Sequence, residues 1–257
     1  MDEIERRRAI SDEGLRSTLP LPTSHNEHHV EVPGEFGRFS WRSLSSEPRN
    51  FSRRKMSEIV NQVLPIVYLA RHGETAWTLS GQHTGLTDLP LTERGERNAR
   101  RLKERLRGLS FAKVFTSPLQ RARRTCELAG FGDLAEIDPD LLEWNYGEYE
   151  GRRTIDIHKE RPDWQIFRDG CPGGESPSQV GVRADRAVKH IRAIEGNVLL
   201  FSSGHFLRVL AARWLGFGPS EGRVLLLSTA SLSALSYEHN LSQPAIRLWD
   251  DDRHVGD

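Results

Sequence analysis

Leu64-Pro65-Ile66-Val67-Tyr68-Leu69-Ala70 runs straight into Arg71-His72-Gly73-Glu74. The apolar run has the length of a strand and no polar alternation, which fits a strand buried on both faces of a sheet. Working outward, Lys113-Val114-Phe115-Thr116 and Asn197-Val198-Leu199-Leu200-Phe201 repeat that signal, and Leu232 to Tyr237 and Ala245 to Trp249 read as late strands. Helical patterns lie between them. Thr92 is placed as an N-cap with Glu93 in the first turn, and Ala99, Leu102, Leu106 and Leu109 follow at helical spacing. Ser117-Pro118 reads as N-cap and first position of a helix that carries Arg121 and runs to about Leu128. Ser176-Pro177 repeats the signature ahead of an inner face of Val180, Ala184, Ala187, Val188 and Ile191. Ser202-Ser203-Gly204-His205 leads into an apolar helix through Trp214. This alternation predicts one α/β domain of three layers, α/β/α, with a mainly parallel central sheet and no internal repeat.

The chain has 257 residues, with 36 Lys and Arg against 36 Asp and Glu. That balance argues against a nucleic-acid or membrane-surface binder driven by overall basicity. No stretch approaches the roughly 18 apolar residues of a membrane span. The two cysteines, Cys126 and Cys171, are far apart. Neither a disulfide scaffold nor a cysteine zinc site is expected, and a reducing cytoplasm is the expected compartment. Residues 1–60 are rich in Arg, Glu, Ser and Pro and hold His25, His28 and His29 without a fixed partner spacing. They are predicted to be a disordered extension, and Met56 is a candidate alternative start. The folded domain is expected over residues 61–250. Residues 251–257, with the acidic run Asp250-Asp251-Asp252 at their edge, are expected to form a solvated tail.

Ligands of such folds sit beyond the carboxyl ends of the strands. Arg71, His72 and Glu74 follow one strand, the helix bearing Arg121 follows another, and Ser203-Gly204-His205 follow a third. Arginines, histidines and helix N-termini converging on one crevice describe an anion site, with phosphate as the natural ligand.

Leu69-Ala70-Arg71-His72-Gly73-Glu74-Thr75, Ser117-Pro118-Leu119-Gln120-Arg121-Ala122-Arg123-Arg124-Thr125 and Leu142-Glu143-Trp144-Asn145-Tyr146-Gly147-Glu148-Tyr149-Glu150-Gly151 resemble, in order, the motifs of the phosphoglycerate-mutase-like histidine phosphatase superfamily. The resemblance covers residues 64–220. Residues 80–88, 144–147 and 169–176 are similar to its branch of sedoheptulose-bisphosphatase-like and broad-specificity acid phosphatases. It implies a phosphoglycerate-mutase-like fold and a phosphatase acting on phosphomonoesters, small sugar phosphates foremost. His72 would be the nucleophile, Arg71 and Arg121 would hold the phosphoryl oxygens, and Glu143 would serve as proton donor and acceptor. Thr78, Thr84 and Gly85 fall where relatives contact substrate. No cofactor or metal is implied, and a small phosphomonoester is the only partner. The oligomeric state is not legible.

The fourth motif departs from the family pattern. Counting back from Arg208, Ser203 stands where a second pocket histidine is usual, and His205 lies two residues on. Either His205 turns in as a substitute, or Ser203 completes the pocket at a loss of about 10²–10³ in turnover. Two other readings follow. A phosphoglycerate mutase shares the apparatus, but the segment between Gly151 and Gly174 is short for a water-shielding insertion. A phosphate-binding regulatory protein rests on Ser203 alone. The basic residues Arg152, Arg153, His158, Lys159, Arg161 and Arg168 suggest a substrate with a second anionic group.

Overall fold

The structure, a computed structural model, describes residues 64–256. The predicted extension, its three histidines and Met56 lie outside the described residues. Six strands form one sheet in the order β3-β2-β4-β1-β5-β6. They are β1 (Val67–Arg71), β2 (Lys113–Thr116), β3 (Ala135–Ile137), β4 (Val198–Ser202), β5 (Leu232–Tyr237) and β6 (Pro244–Asp251). The four strands from β3 to β1 run parallel, and β5 and β6 close the sheet antiparallel. In register, Arg71 lies opposite Ser202 and Thr116 opposite Phe201. The three turns bearing the sequence motifs therefore leave the sheet side by side at one edge.

Alternation along β4 divides the core. Leu200 packs with Leu69, Val180, Leu207, Leu210 and Trp214 on one face. Leu199 and Phe201 pack with Leu102, Leu106, Val114 and Cys126 on the other. The first face is covered by α6 (Pro177–Arg192) and α7 (Gly204–Trp214), the second by α2 (Glu93–Arg105) and α3 (Gln120–Leu128). Shorter helices are α1 (Ala76–Ser80), α4 (Thr154–His158) and α5 (Ile166–Asp169). The expected three-layer α/β fold with a mainly parallel sheet is what the chain adopts. Among the described residues no helix is long and apolar enough to cross a membrane.

Three local expectations are corrected. α3 begins at Gln120 rather than at Pro118, and its N-cap Leu119 makes no side-chain cap bond. The cap comes from elsewhere in the sequence, because Asp88 Oδ1 accepts the Gln120 N–H at 2.8 Å. β3 was not read at all: three residues at the sheet edge, partly or fully exposed, carry no alternation. The acidic run is not a solvated tail. Asp250 and Asp251 end β6, Asp251 is 6% exposed, and it pairs with Arg105 and Arg253. Further on, Gly256 N donates to Asn98 Oδ1 at 3.1 Å.

Ser176 caps α6 as read, in a reciprocal box with Gln179. Replacing Ser176 with Ala is expected to cost about 1 kcal/mol. Urea denaturation measures it, and an unchanged midpoint would show the box to be dispensable.

Candidate active site

At the carboxyl ends of β1 and β4 lies a cavity of about 260 Å³. Of the residues singled out in the sequence, Arg71, His72, Thr78, Thr84, Glu143 and His205 line it. Arg121, Gly85 and Ser203 are not among its lining residues.

His72 is 2% exposed. Its Nδ1 lies 2.7 Å from the carbonyl oxygen of Gly73. A carbonyl only accepts, so Nδ1 carries the proton and Nε2 keeps a bare lone pair. Burial pushes the imidazole well below its usual pKa, and the charges of Arg121 and Arg71 push it further. The backbone is pinned on both sides: His72 N donates to Ser202 O at 2.9 Å, and Gly73 N to Thr125 Oγ1 at 3.0 Å.

The Arg71 guanidinium is half-buried and donates to Leu227 O. Its Nε has no hydrogen-bond partner among the described residues. Gly204 lies flush against it; a Cβ there would stand 3.1 Å from Arg71 Cζ and Nε. Arg121 is fully buried. It donates to the carbonyls of Thr87 and Thr84 at 3.0 Å and of Gly85 at 2.7 Å, with Nε left over. The same loop is gripped from its N–H side, where Glu150 Oε1 accepts from Gly85 at 2.8 Å and Thr87 at 3.1 Å. Gly85 has no room for a side chain, since a Cβ would meet Glu150 Oε2 at 2.5 Å and Trp144 O at 2.6 Å. Thr84 is buried beside it and donates to Gln82 O at 3.3 Å. Thr78 reaches the cavity, but its hydroxyl donates to Thr75 O at 3.0 Å and belongs to the N-terminal capping box of α1.

Glu143 is 4% exposed. Its Oε1 accepts N–H bonds from Trp144 and Phe206, both at 2.8 Å, and Oε2 accepts from His205 N at 3.0 Å. Ser203 is the N-cap of α7 but makes no side-chain cap bond. The Glu143 carboxylate takes over that capping task and is fixed by it. Its segment is held from two further sides. Ser202 Oγ donates to Leu141 O at 2.6 Å. Arg183, from α6, donates to the carbonyls of Asp140, Leu142 and Glu143 at 2.9, 2.5 and 3.2 Å. Arg183 pairs with Glu175 at 2.8 Å and lies 4.6 Å over the Phe206 ring. Sequence reasoning missed Arg183, although its position on the apolar stripe between Val180 and Ala187 was a usable signal.

Ser203 is fully buried with an unpartnered Oγ. His205 sits in the cavity wall, its Nδ1 2.5 Å from the Tyr146 hydroxyl. Burial pushes His205 well below its usual pKa, with Arg208 adding to it. His83, also in the wall, stacks 4.8 Å from Tyr146, and burial lowers it to about 4. The basic segment is corrected. Arg152 pairs with Glu160, Arg153 and Lys159 with Asp156, and Arg168 with Asp169. Arg161 donates to the Tyr149 hydroxyl, and His158 Nε2 bonds the Trp164 carbonyl. None of these side chains lines the cavity. Local ion pairing at short spacing absorbs the charge that the sequence displays.

The Arg71 guanidinium lines the cavity with His72, and the charge of the Arg121 guanidinium acts on the same ring. Donors in that arrangement suit a tetrahedral oxyanion.

The sequence profile of the histidine phosphatase superfamily (branch 1) matches residues 67–252. An acid phosphatase of Mycobacterium tuberculosis is 40% identical over 184 residues, covering 69% of this chain and 89% of that protein. A sedoheptulose 1,7-bisphosphatase of Saccharomyces cerevisiae is 34% identical over 251 residues, covering 72% and 92%. A solved structure of an open reading frame of Mycobacterium tuberculosis superposes with a TM-score of 0.70 at 37% identity, over 73% of this chain and 97% of that one.

Gly204→Ala is expected to leave the fold intact and to displace the Arg71 guanidinium. Affinity for inorganic phosphate should fall about tenfold, or ~1.4 kcal/mol. Calorimetric titration of phosphate measures this, and an unchanged Kd would take Arg71 out of the anion site.

Proposed function

The chain belongs to the histidine phosphatase superfamily, and from that membership we propose that it hydrolyses small sugar phosphates through a phosphohistidine at His72. It is a phosphoric monoester hydrolase; the substrate and the residue roles are the proposal. The observation that carries it is the state of His72: neutral, its proton on Nδ1 and held by Gly73 O, its Nε2 free beside two arginines.

In the first step Nε2 attacks phosphorus and the bond to the leaving oxygen breaks. Glu143 gives that oxygen its proton, so the sugar departs as an alcohol. Oε2 is the proton-carrying atom, because it takes one N–H bond where Oε1 takes two. In the second step Glu143 accepts a proton from water, the water oxygen bonds phosphorus, and Nε2 is released with inorganic phosphate. Arg71 and Arg121 balance the charge on the equatorial oxygens as it spreads.

The size of the cavity supports a small substrate, for 260 Å³ lies below the range of about 300–1,000 Å³ that drug-sized ligands fill. Its wall presents Gln82, His83, Tyr146, Thr154 and His205, which hydrogen-bond hydroxyls, together with the cationic Arg208. The yeast relative named as a sedoheptulose bisphosphatase fits that chemistry.

Phosphate release is to be measured over sugar phosphates, phosphoglycerates and an aryl phosphate. Wild type should favour sugar phosphates, and His72→Ala should lose at least about 10³-fold. Product isomerisation without phosphate release would indicate a mutase, and no turnover with retained phosphate binding a binding protein. The pH dependence has a defined sign. A lowered imidazole pKa keeps the nucleophile unprotonated well below pH 6.5. Once substrate ionisation is accounted for, kcat/KM should show no acid limb near pH 6.5, and such a limb would contradict the assignment.

A further inference from the structure

The turn beneath the nucleophile is held by the C-terminal end of the chain, and we propose that Ala230 and His254 are positioning residues for His72. The proposal rests on the reading of His72 as nucleophile. Residues 227–231 bond both members of the Arg71-His72 pair. Arg71 N donates to Ser231 O at 3.2 Å, and Ala230 N donates to His72 O at 3.0 Å. Leu227 O accepts from the Arg71 guanidinium. One short turn thus fixes the backbone of two residues and the side chain of one.

That turn needs outside support. Ala230 has φ 58°, and Asp250 has φ 53°; they are the only non-glycine residues with positive φ among the described residues. A side chain in the left-handed region is held there by its surroundings, at a cost in energy. Both residues belong to the same constellation. Asp250 accepts from Ser228 N at 2.6 Å and from Ser228 Oγ at 3.1 Å. Ser231 Oγ donates to Ser228 O at 2.7 Å, closing the turn on itself. Ala230 is 1% exposed, and its carbonyl lies 2.8 Å from His254 Nε2.

A carbonyl only accepts, so His254 donates from Nε2. His254 in turn is anchored on both flanks. Arg253 pairs with Asp251 at 2.8 Å, and Gly256 O accepts from Asn98 Nδ2 at 3.3 Å. The bonds run without a gap from α2 through the C-terminal residues and Ala230 to the His72 carbonyl. The other end of the turn, at Leu227 and Arg71, is secured by Asp250 rather than by His254. His254 therefore governs the nucleophile more than the anion site.

The test compares His254→Phe, which fills the space without a donor, with His254→Gln, whose amide still donates. The His72 imidazole nitrogens are followed by ¹⁵N–¹H NMR, assigned with His72→Ala, alongside turnover and phosphate Kd. His254→Phe should shift or broaden the His72 signals and lower kcat about tenfold, with phosphate Kd within about twofold. His254→Gln should restore both. Unchanged His72 signals and kcat in His254→Phe would overturn the proposal, as would equal losses in the two variants. Should wild type turn over no phosphomonoester, the functional reading fails, and the NMR signals still decide this proposal.

Discussion

The bond from His72 Nδ1 to the carbonyl of its own neighbour, Gly73, sets what the site can do. It selects the tautomer, and with the tautomer it leaves Nε2 as the ring nitrogen with a free lone pair. A buried imidazole under the charge of two guanidinium groups has little reason to accept a proton, so the lone pair stays available. Much of the surrounding framework holds that ring and its charges still. β4 takes the His72 N–H, α3 takes the Gly73 N–H through Thr125, and the 227–231 turn donates to the His72 carbonyl.

A second constraint joins the acid to the same framework. Glu143 caps α7 in place of the N-cap side chain, so the carboxylate proposed to move protons is also a structural part of the β4–α7 turn. The site is thereby preorganised, with His72 and Glu143 both oriented by backbone bonds rather than by flexible side-chain contacts. Arg183 extends this outward by gathering three carbonyls of the acid segment onto α6. Arg121 and Glu150 do the equivalent for the 84–87 loop, one taking its carbonyls and the other its N–H groups. Buried charges used this way satisfy backbone groups that a loop would otherwise leave unpaired.

The parts legible in the sequence are those governed by local physics. β1, β2, β4 and β5 announce themselves as short apolar runs, and the Ser176 cap and the apolar face of α6 follow from spacing alone. Part of what escaped depends on partners distant in the chain. Asp88 caps α3 from another loop, and Arg183 is charged on a face that otherwise reads as core. The fate of the basic segment hinged on which acids its arginines meet, and those acids lie within a few residues. Asp250 and Asp251 looked solvated because two of their partners, Ser228 and Arg105, lie far off in sequence.

The central claim is covalent: phosphate passes through Nε2 of His72. Rapid quenching of a reaction with ³²P-labelled substrate, followed by peptide mapping, tests it most directly. The account predicts a base-stable, acid-labile label on the peptide that carries His72. An acid-stable label on the peptide of Ser203, a label on His205, or turnover with no trapped phosphoenzyme would contradict it.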